Sequence, residues 1–330
     1  MDKIRWGIIS TGWIADRFVK GLSVVEDAEA VAVGSRTQAS ADGFADKWHI
    51  PHRHGSYEAL VNDPDVDVIY IGTPHPFHYE NTLLCLNAGK HVLVEKPFAM
   101  NAHQVKEMIK LARGKGLFLM EAMWTRYLPA LVQVRQWLAE ESIGDVELVR
   151  ASFSFKGDFP PTHRLLNPKL GGGALLDAGI YPISLAYMVL GSPQTINSTA
   201  CFGETGIDVW SAYMLGYDKG KAALLSSGVQ LSIPVEAEII GTKGYIKIHE
   251  TWLNARVVTL AQSTGGNVFN TQTVHVPTVE NGYNYEAVEV DKCLKAGKLE
   301  SAVMPLDETL DIMITLDTIR KQWGLTYPME

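Results

Sequence analysis

Five short apolar runs alternate with helical patterns in the first 121 residues, and this alternation limits the possible folds more than any other feature. The runs cover residues 4–10, 30–34, 66–72, 92–94 and 117–120. Runs without polar alternation are typical of parallel strands that are covered on both faces. Strands separated by helices predict a doubly wound parallel sheet, and in such sheets ligands bind at the carboxyl ends of the strands.

A glycine turn follows the first strand and leads into a helical pattern. Strand, tight turn and helix form the context of a dinucleotide fingerprint, in which the helix N-terminus faces the pyrophosphate. The match is imperfect, because Ser10 and Ala15 replace the first and third glycines of G-x-G-x-x-G. An ordinary strand-to-helix turn is the alternative. The residues expected to bind the cofactor here are Ser10, Thr11, Gly12, Trp13 and Ile14.

The second strand ends in Ser35, Arg36 and Thr37. Proteins that bind NAD usually place an acidic residue here for the ribose 2'-hydroxyl, whereas a hydroxyl and a guanidinium suit a 2'-phosphate. The sequence therefore favours NADP over NAD. The alternative is a solvated arginine at the start of the next helix.

The fourth apolar run places a charged pair directly before a proline, as Glu95, Lys96 and Pro97. A lysine at the carboxyl end of a parallel strand faces the ligand site, and a following proline restricts its backbone. The alternative is a solvated salt bridge, which contributes little.

The third run ends in a loop with two prolines and two histidines. Thr73, Pro74, His75 and His78 are expected to line the cofactor crevice. The histidines lack a supporting cluster of carboxylates or cysteines, so we expect no metal site.

Beyond residue 121 the chain mixes strands with few helices, which indicates a second domain over residues 122–330. A glycine-rich stretch there precedes Asp177 and Tyr181. If it is helical from about Ala174, these two side chains share a face. An aspartate and a tyrosine opposite a lysine suit proton transfer, because the lysine charge lowers the cost of a tyrosinate. The alternative is a core helix with a buried tyrosine.

The 330 residues carry a formal net charge of -8. This charge gives no reason to expect nucleic acid or anionic membranes as partners. The three scattered cysteines, Cys85, Cys201 and Cys293, suit a reducing cytoplasm. No uninterrupted apolar run approaches membrane-spanning length, so we expect no membrane partner.

In combination, these motifs resemble the glucose-fructose oxidoreductase, inositol dehydrogenase and MocA (Gfo/Idh/MocA) family. The resemblance rests on the turn from Ser10 to Ala15, on Glu95-Lys96-Pro97 and on the Asp177 and Tyr181 helix. Within the family the chain is most similar to dimeric dihydrodiol dehydrogenases and NADP-dependent D-xylose 1-dehydrogenases. This closer likeness covers further segments, namely residues 6–10, 118–126, 173–181, 204–208 and 241–244.

The resemblance implies an N-terminal Rossmann domain over residues 1–121 and a C-terminal α+β domain with a large, mostly antiparallel open sheet. It implies a homodimer through that sheet. It assigns Tyr181 as general acid/base, Lys96 as the residue that orients the substrate hydroxyl, and Asp177 as a holder of substrate or lysine. The implied pocket residues are Trp124, Arg126, Phe153 and Phe155, and Trp124 and Tyr285 are expected near the nicotinamide.

The substrate stays open at this point. A sugar ring and a cyclic trans-diol both present a flat apolar face and neighbouring hydroxyls. A dinucleotide-binding sensor without turnover is the alternative from another class, against which the intact Lys96, Asp177 and Tyr181 argue. An enzyme that retains its nicotinamide and couples two sugars is not expected, because residues 1–5 are too short an arm.

Overall fold

The computed structural model describes residues 3–266 and 268–330. The chain forms two compact units. The first contains the residues up to Tyr127 together with Val279–Leu310, and the second contains Leu128–Thr278 and Asp311–Glu330. The domain boundary predicted after residue 121 stays a prediction.

The first unit contains a six-stranded parallel sheet with the order β3-β2-β1-β4-β5-β6. Its strands are β1 (Ile4–Ile9), β2 (Ala28–Gly34), β3 (His52–His54), β4 (Val68–Ile71), β5 (His91–Glu95) and β6 (Leu119–Ala122). The doubly wound parallel sheet predicted from the apolar runs is confirmed. The edge strand β3 was not predicted, because its three residues are a histidine, an arginine and a histidine.

Nine α-helices lie in the described part of the chain. They are α1 (Trp13–Leu22), α2 (Gln38–Trp48), α3 (Tyr57–Val61), α4 (His78–Asn87), α5 (Ala102–Lys115), α6 (Pro129–Ala139), α7 (Ile180–Leu190), α8 (Asn284–Lys295) and α9 (Leu306–Trp323). Local sequence sets several of their ends. The Asn101 side chain accepts a hydrogen bond from Gln104 N at the start of α5, and Gly116 ends α5 at a φ of 65°.

The parallel sheet is buried on both faces, which explains its continuous apolar runs. All four residues of β4 are buried. Tyr70 stacks on Phe18 of α1 with ring centroids 3.8 Å apart. A Cβ at Gly34 would lie 2.9 Å from the Cβ of Leu60, so glycine allows α3 to approach the end of β2.

The second unit contains an eight-stranded sheet with the order β14-β13-β12-β11-β7-β10-β9-β8. Its strands are β7 (Val146–Ser154), β8 (Thr195–Phe202), β9 (Asp208–Gly216), β10 (Ala222–Gly228), β11 (Ala237–Gly241), β12 (Gly244–Ile248), β13 (Val257–Gly265) and β14 (Val268–His275). Only β7 and β10 pair in parallel; the other described pairs are antiparallel. The mostly antiparallel sheet expected from the resemblance is confirmed.

One segment next to this sheet differs from the sequence prediction. Leu175–Gly179 forms a π-helical turn, and the α-helix begins only at Ile180. Asp177 and Tyr181 therefore lie on either side of a change in helical pitch. Such turns are frequent at functional sites.

Pro168–Leu190 is the one segment, among the residues that the structure describes, with the length and composition of a membrane span. However, 83% of its most apolar window is buried inside the protein. We therefore assign it as core of the second unit.

Candidate active site

The turn after β1 provides backbone donors rather than charged side chains. Gly12 is the N-cap of α1 and makes no side-chain capping hydrogen bond, so the first turn of α1 keeps unsatisfied N–H groups. Ser10 has a φ of 96°, which is a conformation that glycine adopts without strain, and its Oγ accepts a hydrogen bond from Gly12 N. These N–H groups at a helix N-terminus fit a pyrophosphate. Trp13 is exposed beside the turn, and Ile14 is half-buried.

The three residues that follow β2 are polar and differ in their exposure. Ser35 is buried, whereas Arg36 and Thr37 are exposed. Thr37 is the N-cap of α2, and its Oγ1 accepts a hydrogen bond from Ser40 N. Ser35, Arg36 and Thr37 include no acidic side chain, so this position offers a cation and a helix N-terminus to an anion.

The loop after β4 is connected to the end of β5 through His78. Its Nε2 lies 2.7 Å from Thr73 O and its Nδ1 lies 2.8 Å from Pro97 O. The ring is fully buried, and burial lowers its pKa to about 4. His78 thus joins two carboxyl-end loops of the sheet. His75 is buried beside it at a ring distance of 5.8 Å, and Pro74 precedes a short 3-10 turn at His75–Phe77.

Glu95 and Lys96 are neighbours in sequence, but their side chains have different environments. The Glu95 carboxylate is buried and accepts a hydrogen bond of 2.7 Å from the Tyr70 hydroxyl. Its second oxygen accepts a hydrogen bond from Lys96 N at 3.3 Å. Lys96 itself is half-buried, and the Lys96–Pro97 peptide is cis. Glu95 therefore fixes the backbone from which the lysine projects.

Sequence reasoning missed two further buried carboxyl groups, Glu121 and Glu286. Glu121 Oε1 accepts a hydrogen bond from Phe98 N, and burial raises the pKa of Glu121 to about 7. Glu286 is fully buried, and burial together with nearby Glu95 raises its pKa well above the ordinary range. Glu121 lies on β6 and Glu286 lies on α8, and a glutamate at either position predicts nothing about its burial.

The remaining predicted residues of the first unit are Trp124, Arg126 and Tyr285. Its ring stacks on Tyr283 with centroids 4.8 Å apart. The Tyr285 hydroxyl accepts a hydrogen bond from Val279 N. Arg126 is buried and donates hydrogen bonds to Val303 O at 3.1 Å and to Glu308 at 2.5 Å. The guanidinium of Arg126 is thus engaged within this unit.

In the second unit, Tyr181 stands at one end of a row of aromatic rings. Phe153 meets Tyr181 edge to face at 5.4 Å, and Phe155 lies 5.7 Å from Phe153. The row continues through Phe159 to His163, whose ring stacks on Phe159 at 4.2 Å. We define these five rings as the aromatic row. It provides apolar aromatic contacts beside a phenol.

Asp177 forms an ion pair that the sequence did not predict. Arg164 Nη1 donates a hydrogen bond of 2.9 Å to Asp177 Oδ1. The carboxylate is buried, whereas the guanidinium is about half exposed. A carboxylate has several acceptor positions, so one that binds a charged donor can also accept hydrogen bonds from a polyhydroxylated ligand.

A polar cluster of the sheet fixes the π-helical turn that carries Asp177. Asp208 Oδ2 accepts a hydrogen bond of 2.6 Å from Leu175 N, and burial raises the pKa of Asp208 to about 7. A Cβ at Gly173 would lie 2.4 Å from Asp208 Oδ1, and a Cβ at Gly179 would lie 2.6 Å from the Tyr213 hydroxyl. The glycines therefore allow the segment to approach these buried polar groups closely.

Comparison with known proteins places this arrangement in a family. One model, an oxidoreductase family with an NAD-binding Rossmann fold, matches residues 4–123, and the GFO/IDH/MocA C-terminal domain matches residues 131–247. A trans-1,2-dihydrobenzene-1,2-diol dehydrogenase from Xenopus tropicalis is 38% identical over 329 residues, which cover 98% of this chain and 99% of the relative. The chain belongs to the Gfo/Idh/MocA family of oxidoreductases. The resemblance inferred from the motifs is confirmed.

Solved structures agree with this assignment. A 3-ketoreductase from Actinomadura kijaniata in complex with NADP and TDP-benzene is 26% identical, has a TM-score of 0.85, and is matched over 97% of this chain and 98% of its own. A levoglucosan dehydrogenase in complex with NADH and levoglucosan has a TM-score of 0.88 at 18% identity, with 98% of both chains covered, and shows the fold alone. The protein is therefore an NAD(P)-binding oxidoreductase.

Proposed function

We propose that this protein is an NADP-linked dehydrogenase that oxidises a secondary alcohol of a cyclic trans-diol. The observation that carries the proposal is the aromatic row beside Tyr181, because its rings offer apolar aromatic contacts next to a phenol. Curated relatives that are 36–39% identical over the full chain are named trans-1,2-dihydrobenzene-1,2-diol dehydrogenases, which supports this substrate class.

The residues at the carboxyl edge of the parallel sheet fit a dinucleotide. The uncapped N–H groups after Gly12 suit the pyrophosphate, and Arg36 suits a 2'-phosphate. When bound, the nicotinamide supplies a hydride acceptor. We assign Trp124 and Tyr285 to the nicotinamide end, and Thr73 and His75 to the wall of the crevice.

We assign the chemistry to Tyr181, Lys96 and Asp177. As the phenolate, Tyr181 takes the proton from the substrate hydroxyl, and as the phenol it returns that proton in the reverse direction. Lys96, on the backbone that Glu95 fixes, binds and orients that hydroxyl. Asp177, held by Arg164, accepts the hydrogen bond of the neighbouring hydroxyl. Phe153 and Phe155 pack on the ring of the substrate.

A panel of alcohols tests the substrate class. Reduced cofactor is measured with NADP and trans-benzene dihydrodiol, D-xylose, D-glucose or myo-inositol. The proposal predicts the highest kcat/KM for the dihydrodiol, because a planar diene packs better on aromatic rings than a sugar does. Higher kcat/KM for an aldose would instead make this a sugar dehydrogenase.

The sugar alternative rests on the resemblance to NADP-dependent D-xylose 1-dehydrogenases. A sensor that binds the dinucleotide without turnover is the other alternative. Reduced cofactor with any alcohol of the panel would exclude it.

Replacement of Arg36 by alanine tests the choice of cofactor. We expect the Kd for NADP to rise by about 10- to 100-fold, the loss of one charge-assisted contact, while the Kd for NAD stays the same. Fluorescence quenching measures both. Arg53→Ala is the matched control, because Arg53 is an exposed arginine of the neighbouring strand β3 that pairs with Asp46 of α2. Equal weakening of NAD and NADP by Arg36→Ala would contradict the assignment.

We also propose that the protein is a cytoplasmic homodimer that associates through the open sheet of the second unit. Met214 and Leu224 are paired in register on β9 and β10 and are 48% and 47% exposed. Trp210, at 36%, extends this apolar surface along β9. Exposed apolar patches of this kind mark interaction surfaces. The three cysteines are unpaired, as expected in a reducing compartment.

Sedimentation velocity tests the dimer with the variant Met214→Asp. We expect the dissociation constant of the dimer to rise on the order of 100-fold, because a central interface position would bury an unpaired charge. Ile314→Asp is the matched control, since Ile314 is a similarly exposed apolar residue on α9. An unchanged dimer with Met214→Asp, or a monomeric wild type, would refute the proposed interface.

A further inference from the structure

Three metal-ligating side chains meet outside the site described above, at the edge of the parallel sheet. His52 and His54 point to one side of β3, because alternate residues of a strand share a face. His52 Nδ1 lies 2.7 Å from Asp63 Oδ2, and His54 Nε2 lies 2.9 Å from the same oxygen. We propose that His52, His54 and Asp63 bind a divalent transition-metal ion, of which Zn²⁺ matches best.

The donor set supports this choice of metal. Two imidazole nitrogens and one carboxylate oxygen are ligands that suit Zn²⁺, whereas Mg²⁺ and Ca²⁺ prefer oxygen alone. The three ligand atoms all lie within 4.8 Å of one another. Ligands of a tetrahedral Zn²⁺ site lie about 3.3 Å apart, given bond lengths of about 2.0–2.2 Å. To admit the ion, the two nitrogen-to-oxygen distances lengthen by about 0.5 Å, and the nitrogen-to-nitrogen distance, which is at most 4.8 Å, settles at about 3.3 Å.

The metal would replace hydrogens that now fill the centre of the cluster. A carboxylate oxygen accepts hydrogen bonds and cannot donate them, so each imidazole donates an N–H to Asp63 Oδ2. Both imidazoles consequently direct a nitrogen at one point beside the carboxylate. An ion at that point takes the place of the two hydrogens, and its binding releases protons.

The backbone holds the three ligands in place. Asp63 Oδ1 accepts a hydrogen bond from Asp65 N at 2.9 Å, and Lys90 Nζ donates to Asp63 O at 2.6 Å. On the other side, Ser35 N donates to His54 O, which fixes β3 against the end of β2. Because the backbone is fixed on both sides of the cluster, the three side chains lose less conformational entropy when they bind the ion.

The surrounding charges favour a cation. Asp65 Oδ2 lies 3.9 Å from His52 Nε2, which is too far for a hydrogen bond but close enough for its negative charge to favour a cation at His52. Arg5 pairs with both Asp65 and Asp67. The carboxylates of Asp63, Asp65 and Asp67 thus outnumber the two cations in contact with this loop, Arg5 and Lys90.

The site is accessible from water. The side chains of His52 and His54 are 37% and 22% exposed, whereas that of Asp63 is 4% exposed. Three protein ligands leave the fourth tetrahedral position to a water molecule. We therefore expect an exchangeable ion rather than one that is locked into the fold.

Calorimetric titration of the full-length protein with ZnCl₂ tests the proposal. We expect one saturable site that His52→Gln and His54→Gln each weaken by about 10- to 100-fold, the loss that even outer partners of metal ligands produce. Excess Zn²⁺ should also raise the Tm of the wild type but not of these variants. The matched control is His103→Gln, an exposed histidine on α5, which should leave the titration unchanged.

Two outcomes would overturn the proposal. The first is the absence of saturable binding to the wild type. The second is equal weakening by His103→Gln, which would show that surface histidines bind the ion without a site. The visible spectrum of bound Co²⁺ gives a second measurement, because tetrahedral nitrogen and oxygen ligation predicts intense bands that a purely hydrated ion lacks. Thermal unfolding without metal checks that the variants fold.

Discussion

Replacement of Tyr181 by phenylalanine should lower kcat by about 10²- to 10⁴-fold, the usual contribution of a positioned acid or base. The ring is buried at the edge of Phe153, and phenylalanine keeps that edge-to-face contact. The substitution therefore removes the hydroxyl and little else. Steady-state rates with the best alcohol of the panel measure kcat, and fluorescence quenching should show an unchanged Kd for NADP.

Tyr187→Phe is the matched control for this prediction. Tyr187 lies on the same helix α7, is equally buried, and its hydroxyl bonds to Asp311 O and Thr315. Loss of the Tyr187 hydroxyl should lower the free energy of unfolding by about 1 kcal/mol and leave kcat unchanged. Undiminished turnover in Tyr181→Phe would remove Tyr181 from the acid/base role, and equal losses in both variants would point to a structural effect.

Substitution of Glu121 by glutamine should remove part of the pH dependence of the free energy of unfolding. Burial raises the pKa of Glu121 to about 7 in the folded state, from an ordinary value of 4.5. Below about pH 4.5 both states bind this proton, and as the pH rises towards 7 only the folded state keeps it. The free energy of unfolding therefore falls over this range, by about 3 kcal/mol for this group, since one pKa unit corresponds to about 1.4 kcal/mol.

Glu121→Gln keeps an oxygen for Phe98 N but cannot ionise. Relative to wild type, the variant should thus become more stable as the pH rises from about 5 to about 8, as measured by urea unfolding. Glu26→Gln, at an exposed glutamate of the same unit, should show no such change. A constant difference between Glu121→Gln and wild type across this range would contradict the raised pKa.

The sequence predicted the elements whose local chemistry is unambiguous. The apolar runs predicted five strands of the parallel sheet, and Asn101 with Gly116 predicted the ends of α5. The edge strand β3 was not predicted, because its residues are polar and it pairs with β2 through backbone hydrogen bonds, which leave no apolar pattern in the sequence. The π-helical turn was not predicted, because a glycine-rich stretch contains no sequence signal for a change of helical pitch.

The candidate site was predicted in part. Motifs identified Lys96 and Tyr181, whose roles stay predictions. The side chains that surround the candidate site residues could not be predicted, because their positions depend on tertiary contacts. Arg164 reaches Asp177 from a loop, and Glu286 comes near Glu95 from a helix about 190 residues later in the chain. Asp63 is only 11 and 9 residues from His52 and His54, but their contact still depends on the fold, which places the turn after α3 against the edge strand β3.

The most direct test of the account is a single-turnover experiment. The protein is mixed in excess over NADP with trans-benzene dihydrodiol, either unlabelled or deuterated at the carbons that bear the hydroxyl groups. We predict that reduced cofactor forms within the first turnover and that deuterium slows its formation, because hydride leaves that carbon. Cofactor that binds but stays oxidised with the diol, and with every sugar of the panel, would contradict the account and favour a dinucleotide-binding sensor.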